Sequence, residues 1–208
     1  MSSEALFSPA AARNREPILD VLRRVLPRSG LVLEIASGTG EHAVHFAGHF
    51  AGALPGLTWR PSDPDETARR SIEAHRDAAG LPNLRPPLAL DAAAPVWPVE
   101  RADAVVAINL VHIAPWAATL GLMAGGARVL PPDGVLVLYG SYKEGGAHTA
   151  PSNAAFDASL KAQNSAWGVR DLEEVEAAAQ ACGLALVERI AMPANNLTIV
   201  FRQAGGRE

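Results

Sequence analysis

Val32-Leu33-Glu34-Ile35-Ala36-Ser37-Gly38-Thr39-Gly40-Glu41-His42 is the stretch on which the reading of this chain turns. It reads as a buried strand that runs into a glycine turn and opens a helix. Leu31 to Ala36 is apolar except for one carboxylate, Glu34. Gly38 and Gly40 permit a tight turn and a close backbone approach to a ligand. A Gly-x-Gly match alone also fits an ordinary strand-turn-helix corner. The acid inside the strand, just ahead of the glycines, sharpens the reading toward a ligand-binding turn.

Working outward, strands and helices alternate. Asn14 is read as a helix cap with Pro17 in the first turn, where no amide donor is needed. Ile18, Val21, Leu22, Val25 and Leu26 then form one apolar stripe, stopped by Pro27 to Gly30. Strand Leu31–Ala36 and helix Glu41–Ala53 follow. Leu57–Pro61 is a short strand ending near Asp63, and Pro64 to Ala79 is a helix closed by Gly80. Leu88–Asp91 reads as a third strand end and Ala104–Leu110 as a fourth, buried strand. A helix from Pro115 to Leu130 and a strand at Val135–Tyr139 come next. Lys143 to Asn153 reads as a polar, glycine-rich loop near the site. Helices at Asn153–Ser165 and Asp171–Ala181 precede strands at Leu184–Ile190 and Leu197–Phe201. Such alternation predicts an α/β, doubly wound, parallel sheet. Right-handed crossovers place every strand's C-terminal end on one rim, where ligands bind near the switch in strand order. Gly38, Gly40, Asp63, Asp91 and Asn109 to His112 all fall on that rim.

The composition bounds the function. The 208 residues suit one domain, 1–208, with residues 1–30 as an N-terminal helical extension. Net charge is −4 without a Lys/Arg run, which argues against a nucleic-acid partner. Cys182 is the only cysteine, so neither an intrachain disulfide nor a Cys-rich metal site can form. Met1 to Arg15 lacks the pattern of a signal peptide, and no apolar run reaches the length of a membrane span. The expectation is a cytoplasmic protein with a small-molecule substrate and no membrane partner.

With these motifs in place, the chain resembles the class I methyltransferases that use S-adenosylmethionine (SAM). More closely, it is similar to a methyltransferase-like, domain-of-unknown-function family of about this length. The family's motifs stand here as Ser8-Pro9, Arg13-Asn14, Glu34-Ile35-Ala36-Ser37-Gly38-Thr39-Gly40, Pro61-Ser62-Asp63, Asn109-Leu110-Val111-His112-Ile113, Leu138-Tyr139-Gly140, Trp167 to Asp171 and Met192 to Leu197. The resemblance runs in order from Ser8 to Arg202. It implies a Rossmann-like sheet of seven strands, mostly parallel, whose last two form an antiparallel pair. It implies SAM as cofactor, S-adenosylhomocysteine (SAH) as product, and methyl transfer to an O, N or S nucleophile. Two departures stand out. Ala36 replaces the glycine of the general class I motif, as it does in the narrower family. Ser141 follows Leu138-Tyr139-Gly140 where the family often has proline. The rivals are an NAD(P)-dependent oxidoreductase, which Gly38-x-Gly40-x-x-Ala43 also fits loosely, and a SAM-binding protein without chemistry.

Each residue has an ordinary role to weigh against the functional one. Asp63, roughly 20 residues past the glycines, can accept both ribose hydroxyls, or it can cap the helix before Pro64. By the resemblance, Glu34 helps hold the cofactor's methionine end; its plain role would be a charged partner of the turn amides. Ala36, Gly38, Thr39, Gly40 and Asn109 complete the expected cofactor contacts. Asp91 and the Ala92 amide are expected at the adenine, although Asp91 can simply cap the turn Ala92–Pro95. His112 is the candidate general base, beside the expected methyl group, or a structural histidine. Trp116 and Tyr139 can wall the site or belong to the core. Arg13, Asn14, Tyr142, Asn195 and Asn196 are carried over from the family pattern as residues of the substrate opening, with Tyr139 beside them. Asn195-Asn196 also suits hairpin chemistry. His42, His45 and His49 share a helix face, but reaching one ion from two full turns is awkward, so no metal is expected.

Overall fold

The computed structural model describes residues 5–203. The ends of the expected 1–208 domain, 1–4 and 204–208, lie outside the described residues. The elements run α1 (Pro9–Val25), β1 (Gly30–Ile35), α2 (Glu41–Ala53), β2 (Leu57–Pro61), α3 (Glu66–Ala79), β3 (Ala104–Ile108), α4 (Trp116–Val129) and β4 (Val135–Gly140). Then come β5 (Tyr142–Glu144), β6 (Ala147–His148), α5 (Pro151–Gln163), β7 (Arg170–Asp171), α6 (Leu172–Ala181), β8 (Leu184–Met192) and β9 (Asn196–Gln203).

The main sheet has six strands in the order β2-β1-β3-β4-β9-β8. The first four are parallel to one another, and β9 runs antiparallel to both β4 and β8. The strand order switches direction at β1, with β2 on one side and β3 on the other. The crevice outside the C-terminal ends of β1 and β3 is therefore where a doubly wound sheet takes a ligand.

Side chains alternate across the sheet. On β1, Leu33 and Ile35 enter the core that holds Leu122 of α4 and Val175 of α6. Val32 enters the opposite core, with Leu22 of α1 and Phe46 of α2. Glu34 shares the face of Val32. On β4, Tyr139 joins this same α1/α2 side.

The observed elements depart from the sequence reading in several places. The strand expected at Leu88–Asp91 does not form, and the sheet has six strands rather than seven. Residues 82–88 do run beside β2, but only as the isolated bridges Trp59–Leu84 and Ser62–Leu88. Pro86 and Pro87 have no N–H to give to a ladder. Helix α1 starts at Pro9 with Ser8 as its cap, so Asn14 lies inside the helix rather than at its start. Pro17 is also internal, which leaves the Arg13 carbonyl without its helical donor. The segment read as a loop from Lys143 holds the β5–β6 hairpin, turning at Gly145-Gly146 with φ 58° and 77°, and the start of α5. Strands of two or three residues are too short to show a periodicity.

Candidate functional site

The glycine turn is a backbone construction. Leaving β1, Ala36 (φ 55°), Gly38 (φ 56°) and Gly40 (φ 92°) all take left-handed conformations. For Ala36 this costs on the order of 1 kcal/mol. A Cβ on Gly40 would lie 2.8 Å from the Ile72 backbone, so glycine is required there by space as well as by φ. Ser37 N–H donates to the Ser62 carbonyl at 2.8 Å, tying the turn to the end of β2. Asp63 completes the tie: its Oδ2 accepts from Gly38 N–H at 2.9 Å and its Oδ1 from Asp65 N–H at 3.0 Å. The cap of α3 is Asp65, which accepts from Ala68 N–H at 2.8 Å. Asp63 is therefore not the helix cap. Burial raises its pKa, and the two backbone bonds oppose that rise. Each oxygen keeps a lone pair for a further donor.

Glu34 is only 1% exposed. The Trp59 indole Nε1–H donates to its Oε2 at 2.7 Å. Burial pushes its pKa up to about 8, with the nearby Asp63 charge adding to the rise against the Trp59 bond. At neutral pH it is therefore mostly protonated. Glu34 does not bond the turn amides; Asp63 holds the Gly38 amide instead, because Glu34 points to the α1/α2 face and Asp63 lies across the turn.

These groups open on a cavity of about 520 Å³. Glu34, Ala36, Gly38 and Thr39 border it from the turn, with Asp63 opposite. Asp91, Ala92 and Asn109 border it from the next rim positions. Gly40 does not line it; as the cap position of α2 it stands behind the turn. Asp91 does cap its own turn, accepting from Ala93 N–H at 2.9 Å, while still bordering the cavity. Ile113, Pro115 and Ala118 make an apolar side, and Trp167 reaches in from the loop before β7. Ser8 and Ala11 close it from α1. Ser8 and Trp167 stood in quoted motifs, yet nothing local in sequence showed that they converge here.

A second cavity of about 600 Å³ adjoins the first, and Ala10 and Asn109 border both. Asn109 has φ 62° and donates its N–H to the Tyr139 carbonyl at 2.8 Å, which fixes the partition. Arg13, Asn14, Tyr139 and Asn196 all line the second cavity. Tyr142 does not: it is 1% exposed, packed in the core, with its pKa raised by burial. Asn195 is exposed and donates from Nδ2 to Ser152 Oγ at 3.2 Å, closing the β8–β9 turn onto α5.

Asn14 joins the two cavities. Its Oδ1 is 2.8 Å from His42 Nε2, and its side chain lies beside the Tyr139 hydroxyl, where it opposes the rise in pKa that burial causes. An amide oxygen only accepts, so His42 donates from Nε2. Burial depresses the His42 pKa to about 4, with the His45 and Arg15 charges adding to it. The three histidines of α2 have separate partners: His45 Nε2 lies 3.3 Å from Glu16 and His49 Nε2 accepts from Arg23 at 3.0 Å.

His112 is not brought to either cavity wall. The ring is 1% exposed and packs edge-on to Phe156 with centroids 5.3 Å apart. On its other side Gly140 leaves just enough room, since a Cβ there would lie 2.5 Å from Cε1. Neither ring nitrogen has a hydrogen-bond partner among the described residues. Burial, with Arg170 nearby, lowers its pKa to about 4. Phe156 does line the second cavity and stands between it and His112. Trp116 likewise lies off the cavities, under the Arg170 guanidinium at 5.9 Å.

The family described as "Protein of unknown function (DUF938)" matches residues 5–203. The chain belongs to this family. Its fold is shared by solved structures of low sequence identity. An O-methyltransferase family protein from Burkholderia thailandensis matches at TM-score 0.80 and 17% identity, over 95% of this chain and 58% of that one. An O-methyltransferase family 2 protein from Planctomyces limnophilus, solved with apigenin, matches at TM-score 0.76 and 19% identity, over 93% and 58%. A methyltransferase of calicheamicin biosynthesis, solved with SAH bound, matches at TM-score 0.70 and 18% identity, over 92% and 54%. The chain spans little more than half the length of these proteins. The likeness gives it the Rossmann-like fold of SAM-dependent methyltransferases. Among the described residues no helix is long and apolar enough to cross a membrane.

Proposed function

We propose that the first cavity holds SAM, that the second holds a small-molecule acceptor, and that the chain transfers the methyl group between them. The observation that carries this reading is the pair of adjoining cavities at the sheet's switch point, which share Ala10 and Asn109 in their linings. A reactive group in one can meet a nucleophile in the other across that partition.

The residues present fit the cofactor. Asp63 is braced by two amides with lone pairs to spare, which suits a ribose diol. Glu34 is a buried carboxyl with only the Trp59 donor as partner, and a cation beside it would relieve the cost of ionising it. It is assigned to the cofactor's amino-acid end. Asp91, Ala92 and the apolar side from Ile113 to Ala118 would take the adenine. When bound, SAM supplies an electrophilic methyl group on its sulfonium. The protein's own work is to align the acceptor with that bond and to exclude water. An acceptor hydroxyl or ammonium must also lose a proton. His112, the base expected from the sequence, is buried outside both cavities with its pKa lowered to about 4, so it is out of reach of an acceptor in the second cavity and no base is assigned.

Calorimetry with SAH and with NADH tests the reading. SAH is expected to bind at micromolar affinity, roughly −8 kcal/mol. Binding of NADH but not of SAH would refute it.

A further inference from the structure

We infer that the acceptor carries an anionic group, a carboxylate in the simplest case, which the second cavity receives between Arg13 and Tyr139. The inference rests on the reading of that cavity as the acceptor's and deepens it.

The hydrogen-bonding capacity of the lining decides which group the cavity can receive. Among the described residues Arg13 is the only charged one lining the cavity. No carboxylate among the described residues lies within ion-pair distance of its guanidinium. It is the one cation at the mouth of a cavity whose lining holds no acid. Tyr139 adds a directed donor. Its hydroxyl donates to no other group among the described residues, and the Asn14 side chain beside it favours the charged form of the oxygen. Asn14 is itself held by His42, which occupies the amide oxygen. Ser152 Oγ accepts from Asn195 and so also has its hydrogen free.

Of the other polar side chains, those of Ser141, Asn153 and Asn196 are bonded internally, while that of Asn109 stays open at the boundary with an amide donor and a neutral carbonyl acceptor. Ser141 donates to Asn196 Oδ1 at 2.7 Å, and Asn196 Nδ2 donates to the Pro193 carbonyl at 3.0 Å. Both hydrogens of Asn153 Nδ2 go to Thr149 Oγ1 and the Asn195 carbonyl. What faces the cavity is thus a surplus of donors with one full positive charge; the acceptors left, such as the Arg13 carbonyl, are neutral. A carboxylate takes several donors at once and matches a guanidinium fork. A neutral amide offers the fork one carbonyl oxygen and no countercharge, and a cationic amine offers it no acceptor. Phe156, Pro17 and Pro193 supply apolar walls for the body of the molecule. An aromatic or compact apolar acid fits that lining.

The test uses protein saturated with SAH, titrated with benzoate, 4-hydroxybenzoate and phenylacetate and with the corresponding amides. At least one acid is expected to bind about tenfold or more tightly than its amide, because a hydrogen bond to a charged group is the stronger kind. Its affinity should fall as salt rises from low to moderate concentration, since Arg13 is exposed. Arg13→Gln should remove most of the advantage, Arg13→Lys part of it, and Tyr139→Phe a smaller part, all with SAH affinity unchanged. Acids that bind no better than amides, or an advantage that persists in Arg13→Gln, would overturn the inference while leaving the cofactor reading intact. Failure of SAH to bind at all would overturn the cofactor reading, and this inference with it.

Discussion

The two cavities share a wall and are built in opposite ways. The first is shaped by main chain. Its key features are three left-handed residues after β1, amides fastened to Asp63, and a turn tied to the end of β2. The second is shaped by side chains that come from α1, the end of β4, α5 and the β8–β9 turn. A backbone-built site is preformed and tolerates little, because a single added Cβ meets main chain. A side-chain-built site can be retuned at one position without disturbing its neighbours. The same sheet can therefore keep one ligand fixed while the other changes.

Six substitutions test this contrast. The largest effect belongs to His112, which lies beyond both cavities. His112→Ala empties a buried ring site between Gly140 and Phe156 and is expected to cost roughly 2–5 kcal/mol in urea unfolding, with turnover changed by less than about tenfold. Rates over pH in the wild type and the mutant check it. A rate loss of about 100-fold or more, with a changed pH profile and unchanged SAH affinity, would instead bring the ring into the chemistry.

Gly40→Ala attacks the backbone-built side. Its φ of 92° and the 2.8 Å approach to the Ile72 backbone leave no relaxed place for a methyl group. A loss of roughly 2–4 kcal/mol in urea unfolding is expected. Gly38→Ala separates strain from crowding: φ is again positive, but nothing lies within 4 Å, so the cost should be near 1 kcal/mol. Equal losses for the two would mean that crowding against α3 is unimportant.

The paired carboxyls give the next effects. The Glu34 pKa is raised in the folded protein to about 8, above its unfolded value. The unfolded chain thus binds fewer protons than the native one between about pH 4.5 and 8, and stability falls as pH rises through that window. Glu34→Gln should match the wild type near pH 4 and exceed it at pH 8–9, by roughly 2 kcal/mol or more, without ligand. Binding a cation beside Glu34 should expel its proton, so wild-type affinity for SAM should rise with pH up to about 8. Calorimetry in buffers of different ionisation enthalpy counts that proton, and the mutant should release none. Asp63→Ala should weaken SAH at least tenfold, by about 1.5–3 kcal/mol. Unchanged SAH affinity would confine Asp63 to holding the turn.

The smallest effect is aimed at the partition. Asn14→Ala frees His42 and Tyr139 together, yet touches no main chain of the first cavity. SAH affinity is expected to stay within about twofold, while the KM for an acceptor rises by about fivefold to tenfold, near 1 kcal/mol. A large loss of SAH binding would show that α1 is part of the cofactor site itself.

Legibility followed the same division. That Glu34 through Thr39, Asp63 and Asn109 lie on the rim that borders the first cavity was legible from local pattern, because a strand, a turn and a helix start are consecutive in the chain; Gly40, in the same motif, stands behind it. Their bonding was not: exchange of roles between Glu34 and Asp63 depends on which face of β1 each one meets. The missing strand at Leu88–Asp91 shows the limit of an apolar run, since Pro86 and Pro87 withhold the donors a ladder needs. Ser8 capping α1 two turns ahead of Asn14 shows another, because Asn14 had the chemistry of a cap but lay on a helix already under way.

By itself, the sequence determined the alternation of strands and helices, the rim on which the polar residues gather, and the glycine turn that opens the first cavity. Those properties follow from period, turn chemistry and chirality, all of which act within a few residues. Only the tertiary structure decided that Ala10 and Asn109 line both cavities, that Asn14 joins His42 to Tyr139, and that Phe156 stands before His112. Each of those contacts links residues tens of positions apart. They arise from how α1, α5 and the β8–β9 hairpin pack over the sheet, and packing of distant segments leaves no periodic trace in the chain.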